Sequence, residues 1–183
     1  LARGADDLEV ATLAMAGSGG RDAAGWDLNL GKPAKTALKD FKVALVLEDQ
    51  NCAIDGEYAD QLQTTVERLA ALGVQVDDKA RPVADSKRAH LVYLMLLRAA
   101  TGARLENDVI AAHRARAEAS DADDLSYKTI VDRAVTMSHK EWLSWNEERE
   151  LLCREWAGFF EDYDLVLTPM AASAAFPHNQ VGD

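Results

Sequence analysis

Cysteine is scarce: two in 183 residues, Cys52 and Cys153, with no CxxC or other clustered spacing. That pattern offers no disulfide framework and no thiolate cluster, and it reads as two reduced thiols in the core of a cytosolic protein. Positive charge is short as well. Twenty Lys and Arg stand against thirty-one Asp and Glu, a net charge of −11, which is poor equipment for gripping phosphates. Nucleic acid and anionic membrane surfaces are therefore not expected as partners. The longest strongly apolar run, Leu91 to Leu97, lies between His90 and Arg98, far short of the ~20 residues that a bilayer span needs. No basic segment followed by an apolar one opens the chain, so the expected location is cytoplasmic. No internal repeat and no low-complexity tail is present. What remains is 48% hydrophobic and 28% charged, the make-up of a globular domain or a large piece of one.

Periodicity gives that material an order. Leu8, Ala11, Ala14 and Met15 recur at helical spacing between Asp6 and Ala16, with Gly17 as the stop. Gly17 to Gly20, then Gly25, Gly31 and Pro33, make an aperiodic loop. Phe41 to Leu47 is a continuous apolar run of strand length, which predicts a strand buried on both faces and central in a sheet. Tyr58, Leu62, Val66, Leu69 and Leu72 return to helical spacing, Gly73 closes it, and Val74-Gln75-Val76 alternates as a short strand. Together these form a β-α-β unit. From Asp85 the chain is helical for a long way: a stripe at Ala89, Tyr93, Leu96 and Ala100 ended by Gly102, a charged helix to Ala119, and another from about Ile130 to Met137. Ser138 and Glu141 fit a capping box. Behind them Trp142, Trp145, Arg149, Leu152, Trp156 and Phe159 share one helix face. Leu165 to Thr168 is a last strand, stopped by Pro169.

Few residues advertise chemistry. His90, His113, His139 and His178 are scattered without metal-ligand spacing and read as surface or helix-end histidines, so no metal is expected. Asp121-Ala122-Asp123-Asp124 lacks the glycine and late Glu of a calcium loop and reads as a solvated turn. The tryptophan stripe reads as core. Ser18 lies in a glycine-rich turn, but a helix precedes it and a loop follows, the reverse of a nucleophile elbow. The other serines considered (Ser86, Ser120, Ser126, Ser138, Ser144, Ser173) lie outside any such turn.

The order of the motifs resembles the amidase signature family. Leu1 to Leu8 (LARGADDL) is similar to its G-P-L-A-R-S-x-x-D-L segment, with Gly4 where the family commonly has Ser. Asp22 to Trp26 resembles the following loop of some bacterial members. Phe41 to Ala44, the next helix and Gly73 to Val76 resemble its next β-α-β unit. Trp156 to Pro169 resembles the F-x-x-Y-D-x-L-x-T-P strand, and Phe176-Pro177-His178 fits bacterial members.

The resemblance implies an α/β fold, part of a mixed sheet with a large helical block between strands. Residues 1–84 would be the loop and β-α-β part, 85–160 the helical block, and 161–183 the T-P strand and tail. It also implies hydrolysis of small, uncharged amides by a Ser–cis-Ser–Lys triad, without a cofactor, in which a neutral lysine deprotonates the bridging serine and glycine-rich N–H groups hold the oxyanion. In the family those groups lie upstream of the L-A-R motif, so no catalytic residue is expected here and the chain alone should be inactive. Carried over instead is pocket architecture: Thr168, Pro169 and Met170 at the T-P end, with Tyr93, Leu96, Leu97 and Trp142 from the helical block. Left alone, Phe41 to Leu47 would keep unpaired edges, from which a homo-oligomer is expected.

Two rivals use other features. The acidic pair Glu48-Asp49 after an apolar strand suits a Mg²⁺-binding receiver domain, which would also need an Asp at a neighbouring strand end and a downstream Lys. The Trp142 to Phe159 stripe could instead be the contact face of a non-catalytic helical module.

Overall fold

The computed structural model describes residues 2–31, 34–178 and 180; Leu1 of the L-A-R segment and Pro33 of the glycine-rich loop lie outside them. The chain divides into two compact units, Leu1–Thr36 and Ala37–Asp183.

The first unit contains helix α1 (Ala5–Met15) and a 3-10 turn at Gly20–Ala24. Gly4 occupies the N-cap of α1 and offers no side-chain acceptor, while Asp6 and Asp7 oppose the positive end of the helix dipole. The serine common in the family would sit at this cap. Gly17 takes φ of 138° where the helix has ended, which glycine adopts without steric cost.

In the second unit, β1 (Lys42–Leu45) is the middle strand of a three-stranded sheet in the order β2-β1-β3. Val43, Ala44 and Leu45 are buried, as the unbroken apolar run predicts for a strand covered on both faces. Strands β2 (Gln75–Asp77) and β3 (Leu165–Leu167) flank it, both parallel. The α/β class is therefore as expected, and the strands described are parallel to one another. The expectation of open edges on Phe41 to Leu47 is corrected. β1 is paired on both sides, and among the described residues the single-sided strands are β2 and β3.

Helix α2 (Gly56–Ala71) starts at Asp55, whose carboxylate accepts from the Tyr58 N–H, and ends before Gly73 at φ of 91°. Helices α3 (Ser86–Gly102), α4 (Asn107–Ala119), α5 (Tyr127–Thr136) and α6 (His139–Asp162) then follow before β3. Ser138 and Glu141 form the predicted capping box at the start of α6.

The helical core joins Leu94 and Met95 of α3 to Ile130 and Ala134 of α5, with Trp145 of α6 packed against them. Here the predicted α3 stripe is corrected. Val92, Leu94 and Met95 are buried, while Tyr93 is 59% exposed. The run Leu91 to Leu97 is apolar nearly all round, so spacing could not tell its inner face from its outer one. Gly102 closes α3 against α5: a Cβ there would come within 3.0 Å of Val135.

Helix α4 buries no side chain and is joined to α5 by charge. Asp132, 3% exposed, accepts from Arg116 Nε on both oxygens at 3.0 Å and from Nη2 at 2.8 Å. His113 Nδ1 lies 2.6 Å from the same carboxylate. His113 is thus a half-buried hydrogen-bonding partner of Asp132, which corrects the surface or helix-end reading for that histidine. The Asp121 to Asp124 turn is built by its own side chains, Asp121 accepting from the Asp123 N–H and Asp124 from Thr129. Both cysteines are free but exposed, so their expected core placement is also corrected. Cys52 lies in the loop after β1 and Cys153 on the outer side of α6.

Candidate active-site cavity

The Tyr-Asp pair before β3 sets the register of the sheet. Asp164 accepts from the Lys42 N–H at 2.8 Å, and its own N–H returns to the Lys42 carbonyl at 2.9 Å. The Tyr163 hydroxyl donates to Asp77 Oδ2 at 2.6 Å. Tyr163 precedes β3 and Asp77 ends β2, so this bond reaches across the central strand. The phenol stacks on Phe159 at 4.6 Å, and Lys42 Nζ lies 4.2 Å from its centroid. The hydrogen bond from Tyr163, joined by the Lys79 N–H, holds the Asp77 carboxyl below its ordinary range, and the same bond raises the phenol. These contacts give F-x-x-Y-D-x-L-x-T-P its physical content: the Tyr and Asp lock β3 beside β1, so that Thr-Pro emerges at a fixed point.

That point is a cavity of about 310 Å³ beyond the carboxyl ends of β1 and β3. Val46, Leu47 and Ile54 form one side and Thr168, Pro169 and Met170 the other, with Ala171 and Ala172 continuing the wall. Two backbone bonds hold the sides together, Val46 N–H to the Leu167 carbonyl at 2.9 Å and Asp55 N–H to the Ala172 carbonyl at 2.7 Å. Proline at 169 cannot donate to a further ladder bond, so the chain leaves the sheet there. The structure therefore brings Thr168, Pro169 and Met170 together at one cavity. Tyr93, on the solvent side of α3, and Trp142, 36% exposed near the start of α6 and stacked on His139, are not among its lining residues.

The rim was not foreseen as part of a pocket. Glu48 and Asp49 line it beside Cys52. Asp49 Oδ1 accepts the Asn51 N–H at 2.8 Å and Asn51 Nδ2 at 2.7 Å. The Asn51 N–H chiefly holds this carboxyl below its usual range, assisted by the Ser86 hydroxyl and the Arg81 charge. A second hollow of about 560 Å³ shares Leu47, Glu48, Asp49, Cys52 and Ile54 with the first and continues along α2 to Asp60 and Gln63. The only hint in the sequence was the acidic pair after an apolar strand, which suggested a receiver. Asp77 does end the neighbouring strand β2, where a receiver would need an Asp. Its carboxylate is spent on Tyr163, Lys79 and Ala80, and among the described residues no group of three or more His, Cys, Asp or Glu could hold a metal ion.

The tryptophan stripe is only partly core. Leu152 is buried and Trp145 packs on the helical core, whereas Trp156 is 38% exposed beside Phe159 and Phe160. The start of α3 is clamped to α6 by Arg88, which pairs with Glu148 at 2.7 Å and Glu155 at 2.8 Å.

A parallel sheet with a cavity at the carboxyl ends of its strands defines an open-sheet α/β protein, a class that binds its ligands at that end. The family model described as Amidase matches residues 1–183, and the chain belongs to that family, the amidase signature family. Searches of curated proteins and of solved structures each found no match. Among the described residues, no helix is long and apolar enough to cross a membrane.

Proposed function

We propose that this chain supplies the scaffold and the acyl-side pocket of an amide C–N hydrolase, the cavity between the ends of β1 and β3 receiving the acyl group of a small amide. The observation that carries the reading is the convergence of Thr168, Pro169 and Met170 with Val46, Leu47 and Ile54 around one apolar hollow. Membership of a family of amidases supports it, and so does the general preference of open α/β sheets for ligands at this end.

The triad is proposed to come from residues other than these 183. In support, six of the seven serines have local structural work, and the seventh, Ser18, follows a helix and not a strand. Ser126 and Ser138 cap helices, Ser86 accepts from Gln50 and Asn51, and Ser120, Ser144 and Ser173 donate to nearby carbonyls. On this reading the isolated chain turns over no amide above a buffer blank. We also propose a cytoplasmic location and self-association, the latter because the single-sided β2 and β3 and the half-exposed aromatic face of α6 are surfaces that proteins usually cover. Sedimentation at low micromolar concentration tests it, and a compact monomer would count against it.

The pocket itself is tested by filling it. Saturation-transfer NMR should detect 4-methylbenzamide on the wild-type chain, and Ala172→Trp should abolish the signal while the melting transition persists. An undiminished signal in a folded Ala172→Trp protein would remove the cavity from the account.

A further inference from the structure

We infer that this pocket selects amides with an apolar body and a cationic far end, and rejects anionic ones. The inference rests on the reading of the cavity as an amide site; the carboxylates on its rim decide which amides it takes. Its near wall is apolar, formed by Val46, Leu47, Ile54, Pro169 and Met170. The charged residues lining this cavity are Glu48 and Asp49, and the adjoining hollow adds Asp60; neither is lined by Lys or Arg. A ligand whose apolar part fills the first hollow would therefore extend its far end toward carboxylates alone.

Asp49 is fixed for this task. Its Oδ1 is held by two bonds from Asn51, which orient the carboxylate without neutralising it. Two features work against negative potential, and neither cancels it. Arg81 faces Asp49 and Glu48 from other hollows, but its single charge stands against the three carboxylates of Glu48, Asp49 and Asp60, and its Nη1 is turned to the carbonyls of Asp78 and Ala80 at 2.7 and 2.9 Å. The N-terminus of α2 opens at Gly56, where an anion would otherwise be welcome. There the Asp55 carboxylate already caps the helix. The net charge of −11 pushes anions away from the whole molecule, so the test has to separate the rim from the bulk charge.

Three probes of one shape do so: 4-(aminomethyl)benzamide, 4-methylbenzamide and 4-carbamoylbenzoate, titrated into the full chain at neutral pH by NMR. The expected order of affinity is cation, then neutral, then anion, with about a tenfold spread between cation and neutral in low salt that narrows at about 0.5 M salt. Asp49→Asn should reduce that ratio to about threefold or less. Glu48→Gln, at an exposed position, gives the same direction of change from a variant whose folding is not at stake. Because each ratio is taken within one protein, the bulk charge contributes nearly equally to wild type and variant. Equal affinity for cation and neutral, or a ratio untouched by both substitutions, would overturn the charge selection while leaving the pocket standing. Failure of 4-methylbenzamide itself to bind would overturn the pocket reading on which the inference rests.

Discussion

Replacing Asp132 by Asn removes the one buried charge that joins α4 to α5, and its cost can be worked from the contacts. Breaking a fully buried ion pair typically costs about 3–5 kcal/mol, because the surviving partner is left uncompensated. Here the surviving partner, the Arg116 side chain, is 41% exposed and can recover water. The expected loss is therefore about 2 kcal/mol, below the buried-pair range. At about 2–4 °C per kcal/mol for a chain of this size, the melting temperature should fall by about 4–8 °C. The pH dependence has a definite sign. Asp132 is held below the ordinary carboxylate range, chiefly by the Arg116 hydrogen bonds and then by His113. A depressed carboxyl contributes stability that is fully present above its unfolded pKa of about 4 and is lost as pH falls through the folded value. The difference in stability between wild type and Asp132→Asn should thus shrink as pH falls below the unfolded carboxylate value of about 4. Hydrogen exchange over 107–119 should accelerate in the variant before exchange in β1 does, since α4 buries no side chain of its own. A variant that melts within about 1 °C of wild type, or a difference that grows on acidification, would refute this account of how α4 is held.

Other perturbations probe separate joints. Gly73→Ala should cost about 1–2 kcal/mol in chemical denaturation, because the site has φ of 91° and a Cβ would lie 3.2 Å from that of Lys39. Leu152→Ala, at the one buried side chain of α6, should cost about 2–5 kcal/mol. Trp156→Ala should cost only about 2 kcal/mol, less than a core tryptophan, because the residue is 38% exposed; a loss above about 4 kcal/mol would restore the stripe to the core. Gly4→Ser should raise the helicity of α1 by supplying the missing cap, a gain of a few tenths of a kcal/mol read by circular dichroism on the unit.

What the sequence made legible follows from how locally each feature is encoded. Phe41 to Leu47 could be placed at the centre of the sheet because an unbroken apolar run leaves no face for water. Ser138 with Glu141, and Gly73 after Leu72, mark helix ends through contacts a few residues apart. The inner face of α3 was not legible, since Leu91 to Leu97 satisfies several stripes equally well. The ionic joint of α4 and α5 was hidden because His113, Arg116 and Asp132 become neighbours only after the intervening turn folds. Thr168, Pro169 and Met170 were reached through the family resemblance, not through any periodicity. Their partners Glu48 to Ile54 lie in a loop, where no period operates, and only the register set by Tyr163 and Asp164 brings the two segments together.

The central claim is that an amide occupies the hollow at the ends of β1 and β3. Methyl-labelled NMR tests it most directly, because Met170 and Ile54 are methyl-bearing residues from the two chain segments that line that cavity. Titration with 4-methylbenzamide should shift the Met170 and Ile54 methyl signals together along one saturable curve, with a dissociation constant in the millimolar range expected for so small a neutral ligand. Shifts confined to Met95, Met137 or Ile130 of the helical block, with Met170 and Ile54 unmoved at saturation, would contradict it.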